Sequence, residues 1–138
     1  IPIGVADVKR VGADMTNVSF WKIIKEAYKA ADELVKEWIS VEIIDLRTVR
    51  PLDHDTIIES VKKTNRLIIL EEAWPFGSVS TEITYRIQDE AFDYLDAPIK
   101  RITTADTTAP YSPVLLEARI PYSKDVIIAV KAVLIKEK

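Results

Sequence analysis

Two adjacent carboxyl groups, Glu71 and Glu72, end the segment RLIILEE, which has the clearest strand pattern in the chain. In open α/β sheets ligands bind at the carboxyl ends of the strands, so a pair of acids there is a candidate for acid–base chemistry. Successive strand residues point to opposite faces of a sheet, however, so these two acids cannot flank one substrate atom without a bend. We therefore predict a structural role, in which Glu72 accepts hydrogen bonds from backbone N–H groups of the loop AWPFGS while Trp74 and Phe76 pack locally.

His54, in PLDHDT, is the only histidine, and the chain has no cysteine. A zinc site needs several His, Cys or carboxylate ligands, which one histidine cannot supply. A general base needs a third group to orient it, and none is evident nearby. Because His54 lies between two aspartates in the first turn of a helix, we predict a solvated surface residue and assign no metal ligand.

Ser78 and Ser80, in FGSVS, are the candidate nucleophiles. The motif G-x-S-x-G lacks its second glycine here, and no His–acid pair is placed to serve either hydroxyl. Both serines are therefore predicted to cap a helix. The three glycines of the chain are too scattered for a G-x-G-x-x-G or G-x-x-x-x-G-K phosphate loop. The residues alone thus indicate no catalytic, cofactor-binding or metal site.

Arg47 and Arg50, in DLRTVRP, offer two guanidinium groups close together. Guanidinium binds carboxylate and phosphate bidentately, so this pair could hold an anion or a carboxylate of a partner. The alternative is internal ion pairs with the acids nearby, which we favour; both remain open from the sequence.

The elements that must position these residues alternate between strand and helix periods. Strands are predicted at 5–11, 15–20, 40–46, 66–72 and 98–106, and helices at 21–38, 50–64, 79–95 and 123–138. Asp53 or Asp55 suits the start of the second helix, and 107–122 is predicted to be irregular. The residues predicted to face the core from the other three helices are Ile23, Ile24, Ala27, Ala31, Leu34 and Val35; Ile83, Ile87, Phe92 and Leu95; and Val126, Ile127, Val130, Val133 and Leu134.

Strands separated by helices imply crossover connections around a mainly parallel sheet. The first two strands share only the turn GAD, so one of them should run antiparallel. We predict a three-layer α/β/α domain with about five strands, occupying residues 1–138 as a single domain. The chain lacks an initiator Met, since its only Met is Met15, and this favours a piece of a longer protein.

Composition excludes several other classes of protein. The net charge is −3 with Lys and Arg scattered, which argues against nucleic-acid binding. No run approaches the roughly 20 apolar residues that a membrane span requires. The absence of cysteine gives no sign of an oxidising compartment and favours a cytoplasmic setting.

Asp96, in FDYLDAPIKRIT, has two interpretations. Locally it would close a helix, because Pro98 prevents the helix from continuing into the next strand. Alternatively its carboxylate faces something outside the chain.

Three motifs in order carry a resemblance to a known family: VEIIDLRTVRPLDHDTIIESVKKTNRLIILEEAW, AFDYLDAPIKRIT and APYSPVLLEARIPYSKDVIIAVKAVL. Nearly the whole chain resembles the C-terminal domain of the β subunit of 2-oxo-acid dehydrogenases, in the transketolase C-terminal-domain superfamily. APYSPVLLE followed by IPYSKDVI is most similar to the pyruvate-specific branch. The alternatives are a branched-chain or transketolase-type enzyme, and a stand-alone small-ligand-binding α/β domain. Family members usually have glycine within the segment SFWK and at Trp38.

The resemblance implies a role in a larger enzyme. The complete pyruvate dehydrogenase decarboxylase uses thiamine diphosphate and magnesium to decarboxylate pyruvate oxidatively and acetylate lipoamide. The cofactor and the catalytic histidine lie outside this domain, so the isolated domain should bind neither cofactor nor metal and should be inactive. Its implied partners are the α subunit, a second β subunit in an α2β2 assembly, and the basic subunit-binding domain of dihydrolipoyl acyltransferase. Asp96 matches the acidic residue of the family motif L-[DE]-A-P at that docking surface. The setting would be cytoplasmic, or the mitochondrial matrix in a eukaryote.

Overall fold

The structure is a computed structural model that describes residues 1–135. Its strands are β1 Asp7–Arg10, β2 Met15–Ser19, β3 Val41–Asp45, β4 Leu67–Leu70 and β5 Lys100–Ile102. Its α-helices are α1 Ile24–Leu34, α2 His54–Thr64, α3 Val79–Ala91, α4 Pro113–Arg119 and α5 Ser123–Ile135. The last three residues of the helix predicted at 123–138 lie outside the described part. Within that part, every helix is too short or too polar to cross a membrane.

The five strands form one sheet in the order β1-β3-β2-β4-β5. Strand β1 runs antiparallel to β3, and all other neighbours are parallel. The predicted mostly parallel sheet with one antiparallel strand is therefore confirmed. Although β1 and β2 are joined by a short turn, they are not neighbours, because β3 inserts between them.

Helices cover both faces of the sheet, which confirms the three-layer α/β/α architecture. On one face α1 and α5 pack against residues such as Met15, Ile43 and Ile68. On the other face α2 and α3 pack against Val18, Ile44 and neighbouring residues. Strands β2, β3 and β4 are buried along their whole length, as parallel strands covered on both faces must be.

Helix α4 lies inside the segment predicted to be irregular, so that prediction is wrong. Pro113 occupies the first turn of the helix, where the missing N–H costs nothing and the fixed φ favours the helix. The N–H of Leu116 donates to the carbonyl of Ser112 at 2.9 Å and closes the first turn.

Two residues predicted to face the core do not. Val35 is 50% exposed and Phe92 is 59% exposed. Each directly follows the end of an α-helix and lies in a 3₁₀ turn, whose tighter winding rotates the side chain away from the apolar face. Of the two aspartates proposed for the start of α2, Asp53 is the cap, since its Oδ1 accepts the N–H of Thr56 at 3.1 Å.

Candidate functional site

The two acids that follow β4 have opposite environments. Glu71 is fully buried, whereas Glu72 is exposed, in agreement with their predicted divergence. The hydroxyl of Ser80 donates a hydrogen bond to Oε1 of Glu71, and the Ser80 N–H donates to Oε2 at 3.3 Å. The prediction that Glu72 holds the following loop is wrong, because it is Glu71 that points inward to the start of α3. The two acids do not form a paired-carboxylate site.

The serines of this loop do not act as the predicted caps. Ser78 precedes α3, but its hydroxyl makes no capping bond to the helix backbone; it lies 2.9 Å from the hydroxyl of Ser80. Ser80 is inside the helix and fully buried against Glu71. A buried carboxylate needs a hydrogen-bond donor, and this requirement takes precedence over capping.

The aromatic residues of the same loop differ from each other. Trp74 donates its indole N–H to the carbonyl of Thr107 at 2.9 Å and is 52% exposed, so its contact is with a distant segment rather than with the loop itself. Phe76 is 90% exposed, so the prediction of local packing is wrong for it. The carboxyl edge of β4 thus carries a buried structural carboxylate and a projecting aromatic ring rather than a set of reactive groups.

His54 lies where α2 begins, beside the end of α3. Its Nε2 is 3.6 Å from Oδ1 of Asp55 and 3.9 Å from Oε2 of Glu90, and its Nδ1 is 3.4 Å from the carbonyl of Leu52. The side chain is 32% exposed, so it is less solvated than predicted. Within residues 1–135 no three His, Cys, Asp or Glu side chains are arranged to hold a metal ion.

The two arginines after β3 have different roles. Arg47 lies 3.6 Å from Oδ2 of Asp45, and its N–H donates to Oδ1 of the same residue at 3.1 Å. This confirms the internal ion-pair alternative for Arg47. Arg50 lines an open groove of about 810 Å³ together with Glu82 and Arg86, which are themselves joined at 2.7 Å. Both sequence alternatives stay open for Arg50.

Asp96 lies at the opposite end of the parallel strands from Glu71, beside the amino ends of β4 and β5. It does not close α3, which ends five residues earlier at Ala91; a 3₁₀ turn over Phe92–Tyr94 comes between them. Its N–H donates to the carbonyl of Asn65 at 2.9 Å, so the backbone fixes the bend. The carboxylate is 56% exposed, and one oxygen lies 4.0 Å from Nη2 of Arg66. The backbone therefore has the local role, while most of the carboxylate remains available to solvent.

Comparison with known proteins decides the family. The family model described as "Transketolase, C-terminal domain" matches residues 4–127. The chain belongs to the transketolase C-terminal domain family. The resemblance found in the sequence is thereby confirmed at this level.

Among curated relatives of this transketolase C-terminal domain, the pyruvate dehydrogenase E1 component subunit beta of Rhizobium meliloti (strain 1021) is 52% identical over 136 residues, which cover 99% of the chain and 30% of that protein. The mitochondrial subunit of the same name from Dictyostelium discoideum is 44% identical over the whole chain and 39% of that protein. The acetoin:2,6-dichlorophenolindophenol oxidoreductase subunit beta of Bacillus subtilis (strain 168) is 45% identical over 99% of the chain and 40% of that protein. The chain thus spans well under half the length of these relatives.

A solved structure described as a split gene transketolase, an inactive beta4 tetramer, superposes with a TM-score of 0.87. The superposition covers 100% of the chain and 45% of the solved protein, at 24% identity. This likeness supports the three-layer fold and carries no further conclusion.

Two tryptophans of this transketolase C-terminal domain occupy backbone positions that sequence reasoning did not interpret. Trp21 and Trp38 both have φ of 64°, the left-handed region that favours glycine. Both side chains project into solvent, with exposures of 82% and 94%. The signal was present in the sequence, because the family resemblance places glycine at Trp38 and within the segment that contains Trp21. Only the backbone angles show why glycine suits these positions.

Proposed function

We propose that this chain is one domain of the β subunit of a pyruvate dehydrogenase decarboxylase, and that it helps to assemble the α2β2 enzyme and docks its acyltransferase. Identities of 44% to 52% with subunits of that name across nearly the whole chain support the assignment. In this proposal the complete enzyme decarboxylates pyruvate and acetylates lipoamide, in the bacterial cytoplasm or the mitochondrial matrix.

The cofactor chemistry is assigned to other parts of the complete enzyme. Thiamine diphosphate binds through magnesium, which prefers several carboxylate, carbonyl and water oxygens. The described residues bring no three acids or histidines together, and the chain has no glycine-rich phosphate loop. In this proposal, as the family resemblance implies, the cofactor is held outside this domain.

The exposed carboxylate of Asp96 is the observation that carries the docking role. Backbone bonding to Asn65 holds the bend, and Arg66 lies at 4.0 Å, so the acid is positioned while its outer side remains open. The amino edge of the sheet is also remote from the carboxyl edge, where ligands of open α/β sheets bind. A docked module could stay bound there without obstructing chemistry at the other edge. A carboxylate at such a place pairs well with a basic module and speeds its association.

The test is an affinity measurement on the assembled α2β2 enzyme against the purified subunit-binding domain of dihydrolipoyl acyltransferase. Asp96→Ala should weaken binding at least about 30-fold, because loss of one partner of a desolvated charge pair costs about 2 kcal/mol or more. Asp93→Ala removes a nearby exposed acid and should leave the affinity unchanged. If Asp96→Ala lowers the unfolding free energy by several kcal/mol while docking is unaffected, Asp96 is a turn residue and the docking role is wrong.

A second candidate substrate comes from the relative named for acetoin, which is 45% identical. Assaying the complete enzyme with pyruvate and with acetoin in parallel separates the two. Turnover of acetoin without turnover of pyruvate would transfer the assignment to that activity and leave the fold and family unchanged.

A further inference from the structure

Trp38 is a residue that the folding of this domain does not explain. It follows the 3₁₀ turn Val35–Glu37 after α1 with φ of 64° and ψ of 24°, and its N–H donates to the carbonyl of Val35 at 3.1 Å. A left-handed backbone is unfavourable for a tryptophan, whose Cβ approaches the following carbonyl oxygen. The side chain is 94% exposed, so burial offsets none of that cost. An exposed aromatic residue in an unfavourable backbone conformation suggests a contact outside the domain.

Trp38 and Asp96 both lie at the end of the sheet where the parallel strands begin. Trp38 comes three residues before β3, and Asp96 comes four residues before β5. The order β3-β2-β4-β5 separates these two strands by three spacings of about 4.8 Å, or roughly 14 Å. Backbone hydrogen bonds of 2.9 Å, from Asp14 to Ser40 and from Thr16 to Arg66, link the strand starts along this edge.

Helix α5 connects the two positions on one face of the sheet. Lys131 pairs at 2.7 Å with Glu37, the residue before Trp38. The next residue, Ala132, lines a small cavity of about 60 Å³ with Ala97 and Pro98, directly after Asp96. We call Glu37, Trp38, Asp96, Lys131 and Ala132 the docking edge.

We propose that Trp38 is an aromatic anchor for the basic module that docks at Asp96; this inference rests on the function proposed above. The electron-rich face of an indole attracts Arg and Lys side chains, as the carboxylate does, so both residues favour a cationic partner. Tryptophan is enriched among the residues that dominate protein interfaces. A standard interface covers about 800 Å² on each partner, which is wide enough to span strands about 14 Å apart.

The experiment compares variants of the assembled α2β2 enzyme for binding to the same subunit-binding domain, with assembly checked by light scattering. Trp38→Gly should weaken binding about 10- to 30-fold, as loss of an aromatic anchor does, while glycine suits the backbone angle. Trp38→Phe retains the aromatic face and should stay within about 3-fold of the parent.

Trp21→Gly is the matched control. It removes a tryptophan that is 82% exposed and has the same φ of 64°, but that lies at the opposite end of the parallel strands, after the carboxyl end of β2. Its docking affinity should equal that of the parent. If Trp21→Gly disturbs assembly, Tyr85→Ala on α3, which is also well exposed, provides the position control.

The outcomes separate the two proposals. Loss of affinity in both Asp96→Ala and Trp38→Gly supports the anchor. Loss in Asp96→Ala alone, with Trp38→Gly unchanged, overturns the anchor and leaves the proposed docking function intact. Unchanged affinity in both variants overturns the docking function, and the anchor with it. An equal loss in Trp21→Gly would show that removal of any exposed tryptophan has this effect, and would also overturn the anchor.

Discussion

The hydroxyl of Ser80, in the first turn of α3, donates a hydrogen bond to the buried carboxylate of Glu71 at the end of β4. The Ser80 N–H donates to the other carboxylate oxygen at 3.3 Å. One residue thus binds both oxygens and fixes the start of α3 against the sheet. Arg101, on β5, donates a hydrogen bond of 2.7 Å to the carbonyl of Pro75. This bond holds the loop between β4 and α3. One acid of the candidate pair is therefore a structural connection between a strand and a helix.

Replacing Ser80 by alanine should destabilise the chain. Glu71 would lose its hydroxyl donor while remaining fully buried, and leaving a buried polar group short of a partner costs about 1–3 kcal/mol. Equilibrium unfolding in urea measures the loss. Ser78→Ala removes the neighbouring hydroxyl, which does not bond the carboxylate, and should cost clearly less. Equal losses for the two variants would contradict this role of Ser80.

Glycine is required at Gly12 for reasons of space. A Cβ there would lie 2.2 Å from the backbone nitrogen of Glu42, which cannot move without disrupting β3. We expect Gly12→Ala to lower the unfolding free energy by about 3 kcal/mol, at the upper end of the usual cost of overpacking. Gly77→Ala meets no atom within 4 Å and strains only a φ of 66°, so it should cost about 1 kcal/mol. Similar denaturation midpoints for the two variants would show that the close approach at Gly12 is not decisive.

Trp38→Gly should stabilise the domain. Relief of the left-handed backbone gains about 1–2 kcal/mol, and the greater freedom of glycine in the unfolded chain offsets about 0.5–1 kcal/mol of this. The net expectation is a rise of about 0–1.5 kcal/mol in the free energy of unfolding. If Trp38→Gly raises the free energy of unfolding and also weakens docking, Trp38 serves binding rather than folding.

Val35→Gly is the control for that stability measurement. Val35 is also exposed and lies in the 3₁₀ turn that Trp38 follows, but its φ is −62°. Glycine there gains no relief of strain and should cost about 0.5 kcal/mol, the difference in helix propensity between valine and glycine. A destabilised Trp38→Gly variant would show that the indole contributes to folding after all.

Stability should fall in acid partly through Glu42, a side chain with only 2% exposure on β3. Burial by itself raises the pKa of Glu42, but hydrogen bonds from Lys63, Ser60 and the Gly12 N–H outweigh it, so the pKa lies below its ordinary value. A carboxyl group with a lowered folded pKa stabilises the fold above its unfolded pKa of about 4.3, and loses that contribution as the pH falls through the folded value.

Glu42→Gln should therefore be less stable than the parent at neutral pH and should lose less stability between about pH 5 and pH 3. Lys63→Met removes one cause of the lowered pKa. Its loss of stability between these pH values should lie between those of the parent and Glu42→Gln. Urea unfolding at a series of pH values provides the comparison. An unchanged slope for Glu42→Gln would exclude this group as a source of the acid sensitivity.

The sequence predicted most of the architecture because each element has its own local signal. Apolar runs such as Leu67–Leu70 fixed the buried strands, and Asp53 marked the start of α2. Predictions failed where a local signal competed with another. The segment 107–122, predicted to be irregular, contains α4, which begins at Pro113, and Phe92 continued a helical pattern that a 3₁₀ turn interrupts.

Other features of the candidate sites depend on contacts between distant parts of the chain. Glu71 and Glu72 are adjacent and identical in type, so only the packing of α3 against β4 determines which one is buried. The placement of Trp38 on the same edge as Asp96 depends on the strand order, because β2 and β4 lie between their strands in space. The sequence by itself determined the family and the layers, since these follow from local pattern and motif order. Only the tertiary structure decided which side chains lie together at one end of the strands, because that depends on how strands distant in sequence pair.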